Sequence, residues 1–136
     1  MLTHPVRNIS VSIDCSAARV YRFVSDPRNL PQWATAFCKS VREEQGDWII
    51  STPEGEVQIR FAAANELGVL DHVVMLAPGV EVHVPMRVIT NGAGSEVLFT
   101  LFQLPSMSAA KFAEDAGLVE RDLNTLKRVL EENAVA

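Results

Sequence analysis

The chain has 136 residues, 48% of them hydrophobic, and a formal net charge of −5. That size and composition suit one globular domain with a sizeable core, and disorder is not expected. The acidic balance, with 12 Lys and Arg scattered along the chain, excludes a generic nucleic-acid or anionic-membrane binder, because such binding draws on clustered cations. Val6 to Asp14 then opens the chain with clean alternation: Ile9, Val11 and Ile13 on one face, Asn8, Ser10 and Ser12 on the other. That is a half-buried strand. Ser16 can cap a following helix through its side-chain oxygen, and Val20, Phe23 and Val24 give that helix one apolar stripe. Asp26-Pro27 ends it, and the same pair can cap the next helix with proline at its first position. Leu30, Trp33 and Phe37 repeat there at helical spacing.

From Phe37 onward, strands alternate with turn chemistry. Phe37 to Glu44 reads as a polar edge strand, Gln45-Gly46-Asp47 as a turn, Trp48 to Ser51 as a short strand and Thr52 to Gly55 as another turn. Glu56 to Ala63 alternates, with Val57, Ile59 and Phe61 on one face. Asn65 to Gly68 turns the chain, Val69 to Leu76 is a strand, Pro78-Gly79 a turn, and Val80 to Thr90 one further strand. Asn91 to Gly94 closes a hairpin into Glu96 to Leu104, where Val97, Phe99 and Leu101 share a face. After Pro105, Ser106 or Ser108 starts a final helix. Its apolar stripe is Phe112, Ala116, Val119, Leu123, Leu126 and Leu130; Asp115, Glu120, Arg121, Asp122, Lys127 and Arg128 form the wet face. From about Ala109 to Asn133 it would be roughly 37 Å long, enough to cross a whole sheet. The three heptads of stripe fit packing on the chain's own strands.

The order strand, two small helices, strands, long helix resembles the START/polyketide-cyclase superfamily (SRPBCC, birch-pollen-allergen-like). VYRFVSDPRNLPQW is similar to the family's helix followed by Asp-Pro, then a proline and a tryptophan. SAAKFAEDAGLVERDLNTLKRVLEE is similar to its C-terminal helix, and DHVV with VPMRVITNGAGSEVLFTLF resembles small bacterial members of unassigned activity. The resemblance covers the whole chain and implies an α+β helix-grip fold. Residues 1–136 would form a single START-like domain, with a curved antiparallel sheet of six to seven strands wrapped around the C-terminal helix. It also implies a cavity between sheet and helix. Periodicity places Trp33, Phe37, Val57, Ile59, Phe61, Val82, Val84, Met86, Phe99, Leu101, Phe112, Val119 and Leu123 around that space; taken one at a time, each reads first as part of an ordinary filled core, and the cavity rests on the resemblance.

Asp71-His72 is the polar pair with the most chemical potential. If Pro78-Gly79 is a two-residue hairpin loop, Asp71 faces the apolar side and His72 points out. If Asn65 to Gly68 is a four-residue loop, Phe61 lies across from His72 on the pocket face. The two counts conflict, which demands a bulge or a different loop length. The reading favoured puts His72 inside with Leu70, Val74 and Leu76, and Pro78-Gly79 in an odd-length loop. His72 and Asp71 are then the candidate acid–base residues, although a lone inward histidine is also a common hydrogen-bonded core residue. Arg60 and Arg87 are expected in surface ion pairs, and His4 and His83 in solvent. No His, Cys, Asp or Glu cluster has metal spacing, and neither a cofactor nor a metal is expected. Cys15 and Cys38 do not form a disulfide framework.

Three functions follow from the resemblance. The first is binding of a small apolar or aromatic ligand such as a lipid or polyketide. The second is a cyclase/dehydratase-type enzyme using His72 or Asp71. The third is a protein-interaction module of the chaperone co-activator type. The expected partner is a small apolar molecule, with no nucleic acid and no integral membrane contact; nothing in the pattern forbids or demands a homodimer. The start MLTHPVRNIS lacks a basic segment followed by an apolar run, and no stretch is apolar enough to span a bilayer, so a cytoplasmic protein is expected.

Overall fold

In the computed structural model, residues 2–134 are described. The strands are β1 (Val6–Ile13), β2 (Ser40–Glu44), β3 (Asp47–Thr52), β4 (Gly55–Phe61), β5 (His72–Ala77), β6 (Val80–Val84), β7 (Met86–Asn91) and β8 (Gly94–Phe102). Helix α1 (Ala17–Val24), a 3-10 turn at Pro27–Asn29 and helix α2 (Leu30–Trp33) follow β1, and α3 (Ala109–Ala134) ends the fold. All strand pairs are antiparallel, in the orders β1-β8-β7 and β2-β3-β4-β5-β6.

Eight strands appear where six to seven were expected, because Pro85 divides the run from Val80 to Thr90 into β6 and β7. Proline has no N–H to give to a ladder. Its carbonyl instead accepts the Thr100 N–H at 3.0 Å, which hands the chain from one sheet to the other. The segment before β5 is also less regular than its alternation suggests. Val69 makes an isolated bridge to Arg87, and the Leu70 N–H donates to the Met86 carbonyl at 2.8 Å.

Local signals at the helix ends work as read. Ser16 Oγ accepts from the Arg19 N–H at 3.3 Å, and Asp26 Oδ1 accepts from the Arg28 N–H at 3.0 Å. The second helix is shorter than the spacing of Leu30, Trp33 and Phe37 suggests. Pro31 cannot donate to Pro27, so the first turn closes as a 3-10 bond from the Leu30 N–H to the Pro27 carbonyl. The helix stops at Trp33, and Phe37 sits in the turn that follows, its N–H donating to Ala34 O at 3.1 Å.

Ser108 caps α3, its Oγ accepting from the Lys111 N–H at 3.0 Å. The helix runs along β1. Phe112 lies beneath Arg7 at one end; at the other, Lys127 Nζ donates to Ser12 O at 2.8 Å and Glu131 Oε2 accepts the Asp14 N–H at 2.9 Å. Leu123, Leu126 and Leu130 are fully enclosed, whereas Val119, one turn nearer the helix start, is half-buried.

Asp122 departs from the wet face assigned to it. It is buried, and its Oδ1 accepts the Ala36 N–H at 2.9 Å, with the Phe37 N–H also bonded to the carboxyl. Ala36 belongs to the turn after α2, where its N–H has no backbone partner among the described residues. Burial pushes the Asp122 carboxyl above the usual range, and the amides pull it back in part. Asp122 thus ties α3 to the corner between α2 and β2.

Candidate functional site

The strand registers fix one inner face. Across the larger sheet, Trp48 pairs with Ile59, Ile59 with Val74, and Val74 with Val82; one pair further on, Phe61 faces His72 and His72 faces Val84. Across the smaller sheet, Met86 and Ile9 flank Phe99, and Val88 and Val11 flank Val97. The inward residues divide by enclosure. Trp33, Ile59, Val84, Met86, Phe112 and Leu123 are buried. Phe37, Val57, Phe61, Val82, Phe99, Leu101 and Val119 keep part of their surface exposed although they face inward. All of these but Leu101 also pack against the buried core. Along the stripe of α3, Val119 is half-buried, whereas Phe112 and Ala116 before it and Leu123, Leu126 and Leu130 after it are buried.

His72 faces inward, and the reason reconciles the two loop counts. Phe61 pairs with His72, as the Asn65-to-Gly68 turn requires, and Ala77 pairs with Val80, as a two-residue Pro78-Gly79 loop requires. Both hold because the β5–β6 register shifts between Met75 and Ala77. Leu76 is the extra residue, and at 50% exposure it leaves the inward set in which the parity placed it. The odd-length loop is therefore not needed.

The imidazole tilts against Phe61 (ring centroids 5.0 Å apart) and meets Phe99 edge-on (6.2 Å). Its Nδ1 is 3.1 Å from the Leu70 carbonyl. A carbonyl can only accept, so Nδ1 carries the proton and Nε2 presents a lone pair. Burial lowers the imidazole below its ordinary value, so the ring is neutral at pH 7. Nε2 has no hydrogen-bond partner among the described residues.

Asp71 turns the other way. Its Oδ1 accepts from the Met86 N–H (2.8 Å) and Arg87 Nε (3.0 Å), and its Oδ2 accepts from Arg87 Nη2 at 3.0 Å. This bidentate clamp fixes the start of β7 beside His72. Arg87's hydrogen bonds hold the carboxyl below its ordinary range. The folded pKa lies below the unfolded one, so the stabilisation is fully present above about pH 4 and fades as pH falls through the lowered value. With both partners partly exposed, Asp71→Asn is expected to destabilise the fold by about 1 kcal/mol at pH 7. Urea melts across pH check this. The gap from wild type should close below about pH 4; a gap unchanged in acid would rule out the ion pair as its source.

A recess of about 220 Å³ opens at this corner, lined by Phe61, Asp71, His72, Val84 and Pro85 together with Arg60, Ala62, Val73 and His83. A larger groove of about 400 Å³ lies along α3, lined by Asn124, Lys127, Arg128, Glu131 and Glu132. Its charges pair with one another, Lys127 with Glu131 at 2.7 Å and Arg128 with Glu132 at 3.9 Å, which is ordinary surface relief. Burial, with the Asp122 charge adding to it, pushes the Cys38 thiol up to about 11, so it is not a nucleophile at neutral pH. Among the described residues no group of three or more His, Cys, Asp and Glu is placed to hold a metal, and no helix is long and apolar enough to cross a membrane.

One exposed residue on the inner side of β1 escaped the sequence reading. Arg7 pairs with Leu101 and shares a face with Ile9, Val11 and Ile13. The signal was present: two steps back from Ile9 along the same alternation lies Arg7.

No family model and no curated protein matches the chain. Solved structures do. An uncharacterised protein from Bacillus thuringiensis superposes with a TM-score of 0.73 at 18% identity, covering 93% of this chain and 98% of that one. The Aha1 dimer from Colwellia psychrerythraea gives 0.73 at 15% identity, covering 93% and 96%. The di-domain ARO/CYC protein BexL of the BE-7585A biosynthetic pathway gives 0.68 at 16% identity, covering 91% of this chain and 45% of that one. The chain has a helix-grip α+β fold. Identities this low speak for the fold alone.

Proposed function

We propose that the protein binds a small apolar or aromatic ligand, a lipid, polyketide or metabolite of similar build, between the inner sheet face and the first half of α3. One observation carries this reading: Val57, Phe61, Phe99, Leu101 and Val119 face inward yet stay half-buried, while Leu123, Leu126 and Leu130 are closed. Around them the polar groups are few, as in small-molecule sites generally. The buried free thiols Cys15 and Cys38 suit a reducing, cytoplasmic setting. The test is a melting-temperature screen with long-chain fatty acids, fatty alcohols and polycyclic aromatics. A ligand at one hundred times its Kd should stabilise the fold by about 2.7 kcal/mol. Val57→Trp, which fills the space, should abolish the shift. A screen in which no compound moves the wild-type melting temperature would remove the reading.

A second reading, a cyclase or dehydratase type of enzyme, is favoured by His72 alone. A neutral imidazole with its Nδ1–H anchored and its Nε2 lone pair directed away from that anchor can accept a proton from a bound substrate. In that case His72→Ala retains ligand binding and loses turnover; unchanged turnover takes His72 out of the chemistry.

A further inference from the structure

Arg7 sits where an apolar pocket would meet the charged end of its ligand. Strand β8 runs past Met86 beside β6, so Leu101 and its partner Arg7 lie toward the end of the fold that holds the Ala77–Val80 turn. At that same end Lys111 Nζ reaches Glu54 Oε1 of the β3–β4 turn at 3.4 Å, which places the start of α3 there too. Val80 and Leu76 are exposed at 49% and 50%, so this end carries apolar surface open to solvent.

The arginine is held but not neutralised. Its guanidinium lies 5.7 Å from the centroid of the buried Phe112 ring, a cation–π contact that orients the fork without satisfying its donors. No ion pair or hydrogen bond of that guanidinium occurs among the described residues. Nearby acids are otherwise engaged: Glu54 and Asp115 both pair with Lys111, Asp115 at 3.0 Å. Arg28, Arg42, Arg87 and Arg128 each have a carboxylate partner. Arg60 is on the opposite face, level with Val73 and His83. Arg7 is thus a planar five-donor fork at the exposed end of the inner side of β1, free for a planar anion.

We propose that the ligand has an apolar body and a terminal carboxylate, and that Arg7 binds the carboxylate at the mouth while the body lies against Leu101, Phe99 and Val119. This rests on the ligand-binding reading above. Arg7 is exposed, so it needs no buried counter-ion before the ligand arrives.

The test uses N-phenyl-1-naphthylamine, a neutral fluorescent probe, displaced at pH 8 by dodecanoate or by 1-dodecanol. Arg7→Gln should weaken dodecanoate about tenfold relative to 1-dodecanol. Arg7→Lys should recover part of that ratio, because it restores charge but not the fork. The wild-type ratio should shrink with added salt. An Arg7→Gln protein with the wild-type ratio would overturn the proposal, as would equal weakening of both displacers. If the wild type fails to bind the neutral probe and both displacers, the pocket reading itself falls, an outcome distinct from loss of the carboxylate preference alone.

Discussion

Gly68→Ala should destabilise the protein by about 3 kcal/mol, with the loss read from urea melts followed by circular dichroism. Gly68 has φ +71°, a backbone region that costs a residue with a Cβ on the order of 1 kcal/mol. The steric term is larger. A Cβ here would lie 2.1 Å from the Val88 carbonyl oxygen. Backbone cannot swing aside as a flexible side chain can, and the neighbouring bond from the Val88 N–H to the Gly68 carbonyl (2.9 Å) holds the two segments together. Separating them sacrifices that bond, at about 1–2 kcal/mol for a partly buried pair. The loop has little freedom to adapt, because the Asn65 side chain bonds Ala63 O, Val69 O and the N–H groups of Leu67 and Val69, and its own N–H donates to Tyr21 Oη. Leu70, the carbonyl partner of His72, is two residues on. The variant should therefore also disturb the His72 resonances. A loss below about 1 kcal/mol would mean that the loop moves freely and that its rigidity does not set the His72 orientation.

Leu126→Ala should cost about 3–4 kcal/mol, and Val119→Ala no more than about 1 kcal/mol. Leu126 is fully enclosed, so its truncation leaves a cavity that the surrounding core can only partly close. Val119 lies on the same stripe of α3 but is only half-buried, and on the ligand-binding reading it faces unfilled space, so removing two methyls there should create little new void. The contrast between two apolar residues on one helix face separates an open pocket from a uniformly filled core. Equal losses at both positions, measured in urea, would mean that the space before Val119 is as filled as that around Leu126.

Much of this architecture could be read from short-range rules. The β1 alternation, the Ser16 and Asp26 caps, the turn residues and the stripe from Phe112 to Leu130 each depend on neighbours a few positions away, where propensity and periodicity act directly. What escaped depends on pairing. The direction of His72 was undetermined because the bulge at Leu76 has no marker in the residues themselves; it appears only when β5 is laid against both neighbours. The break at Pro85 was marked by a proline inside an otherwise regular run, but apolar alternation outweighed it.

Asp122 illustrates the limit most sharply. An aspartate beside Arg121 on a helix reads as solvated, and the Ala36 amide 86 residues away, at the α2–β2 corner, helps make its burial tolerable. Arg7 is the opposite case. Its inward direction follows from the same parity that placed Ile9, Val11 and Ile13, but a cation at the end of an apolar alternation is easily assigned to solvent. The candidate site thus mixes residues fixed by local pattern, such as Phe99 and Leu101, with residues fixed by register, such as His72.

The most direct test of ligand binding under the helix is a titration of the isotope-labelled protein with N-phenyl-1-naphthylamine, followed by amide and methyl NMR. Saturable shifts are expected at Val57, Phe61, His72, Phe99, Leu101 and Val119, with Ser10, Arg60, Val73 and Leu98 on the opposite faces unmoved. Shifts confined to the outer faces, or none up to the probe's solubility limit, would contradict the account.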